Sequence, residues 1–453
     1  MLLSRARTRA RSHARSHARS AVRTLLAAGL TVGLCAGALT APAEAARVSP
    51  GDFTGLAFDS CTTPDQATMD TWLRTSPFWG VGVYIGGAEL SDCTRASGLV
   101  DSGWVTRQSR RGWKVLPIWV GPQASCSTRD FDTDIDPREA RSYAAARAQG
   151  RAEANQAVRA ASALGVRSGS TLWYDIEDFD VSRTECRRSV LSFLSSWTGR
   201  LHALGWKSGV YSNVAAGIHA LDNADKLSPG SYVMPDQVWY AWGNGRANTY
   251  IAPKWVRAGS WKPHARIHQY ILDRVRTYGG ATLKIDHNFM DVGRGSVAPR
   301  PAPTCGVNVN FADYRSLRRG STGAQVKALQ CLLKQKKRYD GRVHGRYDAR
   351  THRAVQSFQR LRELGATGRT NARTWTVLLA EGKAPVLKRG SVGEPVRRVQ
   401  RGLTAALDRK VAVTGVFDAA TTSAVLAYQQ RRGLVRTGVM ADDTWAQLVA
   451  GRI

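Results

Sequence analysis

Leu317-Arg-Arg-Gly-Ser-Thr-Gly-Ala-Gln-Val-Lys-Ala-Leu-Gln330 returns 70 residues later as Leu387-Lys-Arg-Gly-Ser-Val-Gly-Glu-Pro-Val-Arg-Arg-Val-Gln400. The register then holds without a slip: Gly345, Asp348, Phe358, Gln359, Gly368, Trp375 and Leu378 return as Gly415, Asp418, Tyr428, Gln429, Gly438, Trp445 and Leu448. A register kept at every turn and core position means one small module present twice. In each copy an apolar stripe, Val326, Leu329 and Leu333 or Val396, Val399 and Leu403, has the three- and four-residue spacing of a helix. Asp348 and Asp418 follow a glycine turn and stand where an N-cap is needed for the helix that ends in Phe358-Gln359 or Tyr428-Gln429. A third helix carries Trp375 or Trp445. The expected unit is three short helices, with these four aromatic residues filling its core.

The wording "LRRGSTGAQVKALQCLL…DGRVHGRYDARTHRAVQSFQR…TGRTNARTW", repeated as "LKRGSVGEPVRRVQRGL…VTGVFDAATTSAVLAYQQ…TGVMADDTW", resembles the three-helix peptidoglycan-binding domain of secreted wall enzymes. The resemblance implies peptidoglycan as a partner, bound without chemistry, and places the two modules at residues 315–380 and 386–450.

Upstream, short runs rich in β-branched and aromatic residues alternate with helical stretches: Gly55 to Phe58, Val81 to Ile85, Val115 to Val120, Thr171 to Ile176, Ser208 to Tyr211, Val238 to Ala241, Arg266 to Tyr270 and Leu283 to Phe289. The Ala-rich segment from Pro137 to Leu164 is the clearest helix between them, with proline in its first turn. Eight strands with helices over residues 51–293 predict an α/β fold, a (β/α)₈ TIM-type barrel, with an open doubly wound sheet as the alternative. In such a barrel chemistry sits at the C-terminal strand ends. Acids there are Asp59, Asp175 and Glu177 in Trp173-Tyr-Asp-Ile-Glu-Asp178, and Asp286 in Asp286-His-Asn288. Strand alternation puts Asp175 and Glu177 on one face. Two carboxyls so close disfavour each other's charge, so one of them keeps a proton near neutral pH.

This constellation resembles the family 25 glycoside hydrolases, lysozyme-type N-acetylmuramidases, and more closely the glycoside hydrolase-like barrel domain of secreted actinobacterial proteins. The matching phrases are "GLAFDSCTTPDQATM", "LWYDIEDFD", "GVYSN", "VWYAWGNG" and "RIHQY…LKIDHNFMD". The resemblance implies Glu177 as general acid, with Asp175, Asp59 and Asp286 as nucleophile, base or charge stabiliser. It implies Gln269 and Asn288 as groups that hold sugar hydroxyls or amides, and Tyr270 and Trp242 stand beside them as candidate substrate-binding residues. Trp119, Trp173, Trp239 and Trp242 are either sugar platforms or barrel core, and Asp178 and Asp180 read as loop acids capping the next helix. The reading is a peptidoglycan-acting, muramidase-like hydrolase; a wall-binding protein whose barrel recognises glycan without cleaving it is the alternative.

Residues 1–45 hold seven arginines, the apolar run Leu25 to Leu39 and the small-residue site Ala43-Glu-Ala45, the layout of a secretory signal peptide; the run is too short to remain as a membrane anchor. Its removal lowers the formal charge from +30 to +24, of which +18 lies in residues 301–453. A basic excess on the binding modules suits an anionic partner: peptidoglycan and its anionic wall polymers for an exported protein, and not nucleic acid. The expected location is extracellular or on the cell wall. Once Cys35 has left, six cysteines remain, which in an exported chain read as disulfides. Segment order favours Cys61 with Cys93, Cys126 with Cys186 and Cys305 with Cys331 among 15 possible pairings. The last would pin the Pro-rich linker, residues 294–314, to the first module. Neither a His-Glu-x-x-His zinc site nor a Gly-x-Ser-x-Gly nucleophile is present, so the reading needs no metal or cofactor.

Overall fold

The computed structural model describes residues 48–301 and 304–453; the expected signal peptide and two residues of the expected linker lie outside the described residues. Every one of the eight apolar runs forms a strand, since β-branched and aromatic side chains suit a pleated surface packed on both faces. In chain order the strands are β1 (Phe53–Asp59), β2 (Gly80–Gly86), β3 (Lys114–Trp119), the short pair β4 (Gln123–Ala124) and β5 (Asp134–Ile135), β6 (Thr171–Asp175), β7 (Lys207–Asn213), β8 (Gln237–Ala241), β9 (Ala265–Tyr278) and β10 (Ala281–Val292). All but β4 and β5 close into a barrel in the order β1-β10-β9-β8-β7-β6-β3-β2. Because β1 pairs with both β2 and β10, the doubly wound alternative is excluded.

Helices follow only the first five barrel strands: α1 (Gln66–Thr75), α2 (Asp92–Ser97) with α3 (Ser102–Arg111), α4 (Ala140–Ala163), α5 (Thr184–Ala203) and, after a π-helical turn at Val214–Ile218, α6 (His219–Leu227). The last strand runs antiparallel to both neighbours. It is reached from β9 through Gly279-Gly280, with φ of +58° and +85°, a two-residue hairpin turn whose left-handed backbone suits glycine. The helix expected from Pro137 begins instead at Ala140, and Arg141, Ser142 and Tyr143 are left-handed. The Asp136 carboxylate accepts from the Arg138 backbone N–H at 2.9 Å, so Pro137 sits in an Asx turn and not in a first helical turn.

Inside the barrel, Ala57, Leu116, Ile118, Trp173, Trp239, Ile267 and Met290 are buried. Trp173 fits only because its neighbour is Gly209, where a Cβ would lie 2.3 Å from the indole. A second apolar layer, including Trp72, Phe78, Phe193 and Trp197, lies between the strands and the helices. The three disulfides are Cys61–Cys93, Cys126–Cys186 and Cys305–Cys331.

The two modules are α7 (Ala324–Gln335), α8 (Ala349–Leu361) and α9 (Ala372–Ala380), then α10 (Glu394–Leu407), α11 (Ala419–Arg431) and α12 (Asp442–Val449). Asp348 and Asp418 cap α8 and α11, each accepting from a threonine N–H at 2.8 Å. Phe358, Trp375, Tyr428 and Trp445 are core. Each indole N–H donates to the chain entering its module, Trp375 to the Arg315 carbonyl and Trp445 to the Pro385 carbonyl. Among the described residues no helix is long and apolar enough to cross a membrane.

Candidate active site

The barrel's open mouth collects its acids from three strands. Asp59 ends β1 and Asp175 ends β6, with Glu177 two residues beyond. Since β10 is reversed, its acid enters from within the strand and not from its C-terminal end: Asp286 pairs in register with Asp59. These four residues, with Tyr84, Ile118, Tyr211, Trp239 and Gln269, line a cavity of about 100 Å³.

The four carboxyls are held differently. Asp175 is 5% exposed, and its Oδ1 has no hydrogen-bond partner. Burial, then the charges of Glu177 and Asp59, push its pKa well above the usual carboxylate range. Asp59 is also pushed well up, by burial and by Asp286, against the opposing hydrogen bonds from Asn288 and Gln269. The Gln269 amide N–H₂ reaches both Asp286, at 2.9 Å, and Asp59, at 3.3 Å, so one side chain ties the two acids together. Asp286 is raised to about 6, chiefly by burial, against the Asp273 backbone N–H that it accepts. Glu177 lies nearer the surface, where Arg129 pairs with its Oε1 at 2.8 Å and its backbone N–H donates to Gln123 at 2.8 Å. Burial and the surrounding carboxylates push Tyr84 and Tyr211 well above the ordinary phenol range, so both are neutral donors. Tyr211 donates to Gln269 at 2.9 Å.

Of Gln269, Asn288, Tyr270 and Trp242, only Gln269 lines the cavity. Asn288 is fully buried beneath it, donating to Asp59 and accepting from the Trp239 indole at 2.7 Å; its amide supports an acid. Tyr270 points to the outer side of its strand, against His268 and His287. Trp242 follows β8 and packs beside Tyr250 and His268. Trp173 is barrel core, Trp239 floors the cavity, and Trp119 donates to Glu153 on α4 at 2.6 Å. Asp180 accepts from Ser182 in a turn before α5. Tyr84, Tyr211 and Arg129 escaped the reading of the sequence. Inward alternation within Gly80–Gly86 and the phrase "GVYSN" were the available signals for the tyrosines. His268 contacts two backbone carbonyls, and no group of three metal-ligating side chains is found among the described residues.

Residues 70–290 match the model of the Rv2525c-like, glycoside hydrolase-like domain, and residues 322–378 and 392–448 each match that of a peptidoglycan binding domain. The protein therefore carries an N-terminal glycoside-hydrolase-like domain followed by two peptidoglycan-binding repeats. No curated protein matches it. Similar solved structures include an uncharacterized B. stearothermophilus protein, 20% identical, covering 52% of this chain and 95% of that one with a TM-score of 0.34. Another is the catalytic domain of endolysin ply40 from bacteriophage P40 of Listeria monocytogenes, 14% identical, covering 52% and 93% with a TM-score of 0.30.

Proposed function

We propose that this is a secreted, wall-associated glycosidase of muramidase type that hydrolyses the glycan of peptidoglycan. The observation that carries the reading is the convergence of Asp59, Asp175, Glu177 and Asp286 on one small cavity at a barrel mouth, in a chain whose other part repeats a peptidoglycan-binding module. Glycosidic cleavage needs one carboxyl that delivers a proton to the leaving oxygen and another that stays charged beside the developing positive centre. Glu177, the acid nearest solvent, is the group that meets the glycosidic oxygen. Asp175 behind it is biased towards its neutral form by burial and by the charges of Glu177 and Asp59, and Asp59 with Asp286 acts as base or charge stabiliser. Export is supported by the basic leader and by three disulfides, which persist in oxidising compartments.

A second reading, a wall-binding protein that recognises glycan without cutting it, draws on the internal engagement of the acids. Glu177 is paired with Arg129 and must shed that partner before donating a proton, while Asp59 is held by Asn288 and Gln269. Incubating purified peptidoglycan with the mature protein, with Glu177→Gln and with Asp175→Asn, and reading released fragments by mass spectrometry, separates the two. New muramic acid reducing ends from the wild type alone are expected. No release from any of the three, with all still sedimenting with the wall, would leave the binding protein.

A further inference from the structure

The turn that opens each repeat has the same sequence pattern and the same backbone, yet opposite surroundings. In both copies the serine hydroxyl accepts from the first residue's N–H at 3.1 Å, Ser321 from Arg318 and Ser391 from Lys388. The glycine N–H then donates to the start of the next turn, Gly320 to Tyr347 at 3.0 Å and Gly390 to Phe417 at 2.9 Å. Around the first copy there is open space: a Cβ on Gly320 would meet nothing within 4 Å, whereas one on Gly390 would lie 2.4 Å from the Phe53 ring. Arg318 and Arg319 are exposed. Lys388 is 1% exposed.

What buries Lys388 is the closed end of the barrel, opposite the cleft. Its ammonium donates to the carbonyls of Leu73 at 2.8 Å, Ser76 at 3.0 Å and Trp72 at 3.4 Å. These carbonyls close the C-terminal end of α1, the negative end of its dipole; that of Trp72 also accepts from the Ser76 backbone N–H at 3.0 Å. The rings of Trp79 and Trp113, just before β2 and β3, lie 4.7 and 5.0 Å from the same nitrogen, within cation–π range. Among the described residues no carboxylate pairs with it, and burial draws its pKa well down; the carbonyls and the two indoles stand in for water. Around this bolt the Trp79 indole donates to Ser391 at 3.1 Å, Ser296 donates to the Gly390 carbonyl at 2.9 Å, and the Arg389 guanidinium lies 4.8 Å over Phe289. The first copy is carried along, because Ala380 at the end of α9 belongs to the second copy's core and its carbonyl accepts from Arg398 at 2.9 Å.

We propose that the two repeats have different tasks: the Lys388–Ser391 turn of the second copy is a docking surface for the closed end of the barrel, and the equivalent Arg318–Ser321 turn of the first copy is the face that takes the acidic groups of peptidoglycan. The second half rests on the wall-binding reading above. Its chemistry follows from the internal comparison. The docked turn uses its cation to collect oxygen acceptors, and the free turn presents two guanidiniums, which pair with carboxylates through parallel hydrogen bonds. The repeats are then a rigid arm fixed to the barrel, and not a loose tether.

The test uses the full mature chain. Limited proteolysis in the segment 294–301 reads docking, and co-sedimentation with purified peptidoglycan reads wall binding. Lys388→Met should speed that cleavage about tenfold or more, the response to ~1.4 kcal/mol in an opening equilibrium, while leaving sedimentation unchanged. The double change Arg318→Glu with Arg319→Glu should leave cleavage unchanged and weaken sedimentation about tenfold or more, since it replaces guanidinium–carboxylate pairing by repulsion between like charges. If Lys388→Met fails to fold, Trp79→Phe, which deletes the donor to Ser391 and leaves a smaller ring beside the Lys388 ammonium, should show the same acceleration at smaller amplitude. Unaltered cleavage in both variants overturns the docking. Sedimentation that survives the charge reversal but falls with Lys388→Met overturns the face assigned to the first copy. A wild type that never sediments removes the wall reading together with that face, and the cleavage arm still decides the docking.

Discussion

Asp175 combines a raised pKa with an oxygen that bonds to nothing. A carboxyl whose folded pKa lies above its unfolded value stabilises the fold fully below the unfolded pKa, about 3.9, and loses that contribution as pH rises through the folded value. Asp59 shifts in the same direction, and Asp286 titrates at about 6. These acids therefore favour the fold at mildly acidic pH and weaken it as pH rises from about 4 through about 6 and beyond. Asp175→Asn keeps the shape and removes the charge, so its melting temperature should exceed that of the wild type at pH 8 by about 2–4 °C or more, the shift for ~1 kcal/mol in a domain of this size. The two proteins should converge at pH 4. Calorimetric scans at both pH values check this, and an offset independent of pH would mean that the ionisation of Asp175 is not the cause. Asp59, Asp175 and Glu177 were conspicuous as carboxylates at or just past strand ends, whereas Asp286 stood out in the phrase Asp286-His-Asn288 and lies inside its strand. Asn288 was not, since a sequence cannot tell an amide that faces sugar from one that braces an acid. Arg129 reaches Glu177 from 48 residues away, on a loop that the Cys126–Cys186 bridge holds against the segment after β6.

At the level of elements, the strict register of the repeats has a physical cause in their glutamines. Gln330, Gln359, Gln400 and Gln429 are all buried, and each side chain donates to a loop carbonyl and accepts from a loop glycine N–H. Gln429, for example, donates to the Val439 carbonyl, Thr437 and Thr444 at 3.0 to 3.1 Å and accepts from the Gly438 N–H at 2.9 Å. Gln429→Leu would leave a buried carbonyl and a buried N–H unpaired at ~1–3 kcal/mol each, so the second module should lose about 2–4 kcal/mol. Urea titration checks this through a lowered midpoint with an unchanged slope. Helices and caps of this kind are read from local spacing, which is why the modules were legible almost residue by residue. The direction of β10 was not, because closure is a long-range property that a count of strands does not contain. Gly279-Gly280 between two apolar runs was the one local signal of the hairpin, and recognising it would have reversed the last strand.

For the whole molecule, the division into a barrel and two appended repeats hides a dependence between them. The barrel's closed end is finished by the second repeat: Phe53 packs on Gly390, Trp79 donates to Ser391, and the α1 carbonyls receive Lys388. A barrel cut after residue 300 therefore exposes aromatic surface that the full chain covers, and uncovering even one large side chain costs ~1.5–3 kcal/mol. Deleting residues 301–453 should weaken retention on the wall, and it should also lower the barrel's melting temperature by about 5–10 °C, the response of a domain of this size to ~2–4 kcal/mol. Turnover of short glycan fragments should persist below that temperature, because the cleft lies at the other end of the strands. Retention of the full chain should fall steeply with added salt, since charges exposed to solvent are screened over ~10 Å at 0.1 M, whereas its melting temperature should hold, since Lys388 is buried away from salt. Scanning calorimetry of both lengths at two ionic strengths reads these effects together. A truncated barrel that melts with the full chain would mean that the second repeat only rests against the barrel, and the loss of wall retention would then be the sole effect of its removal.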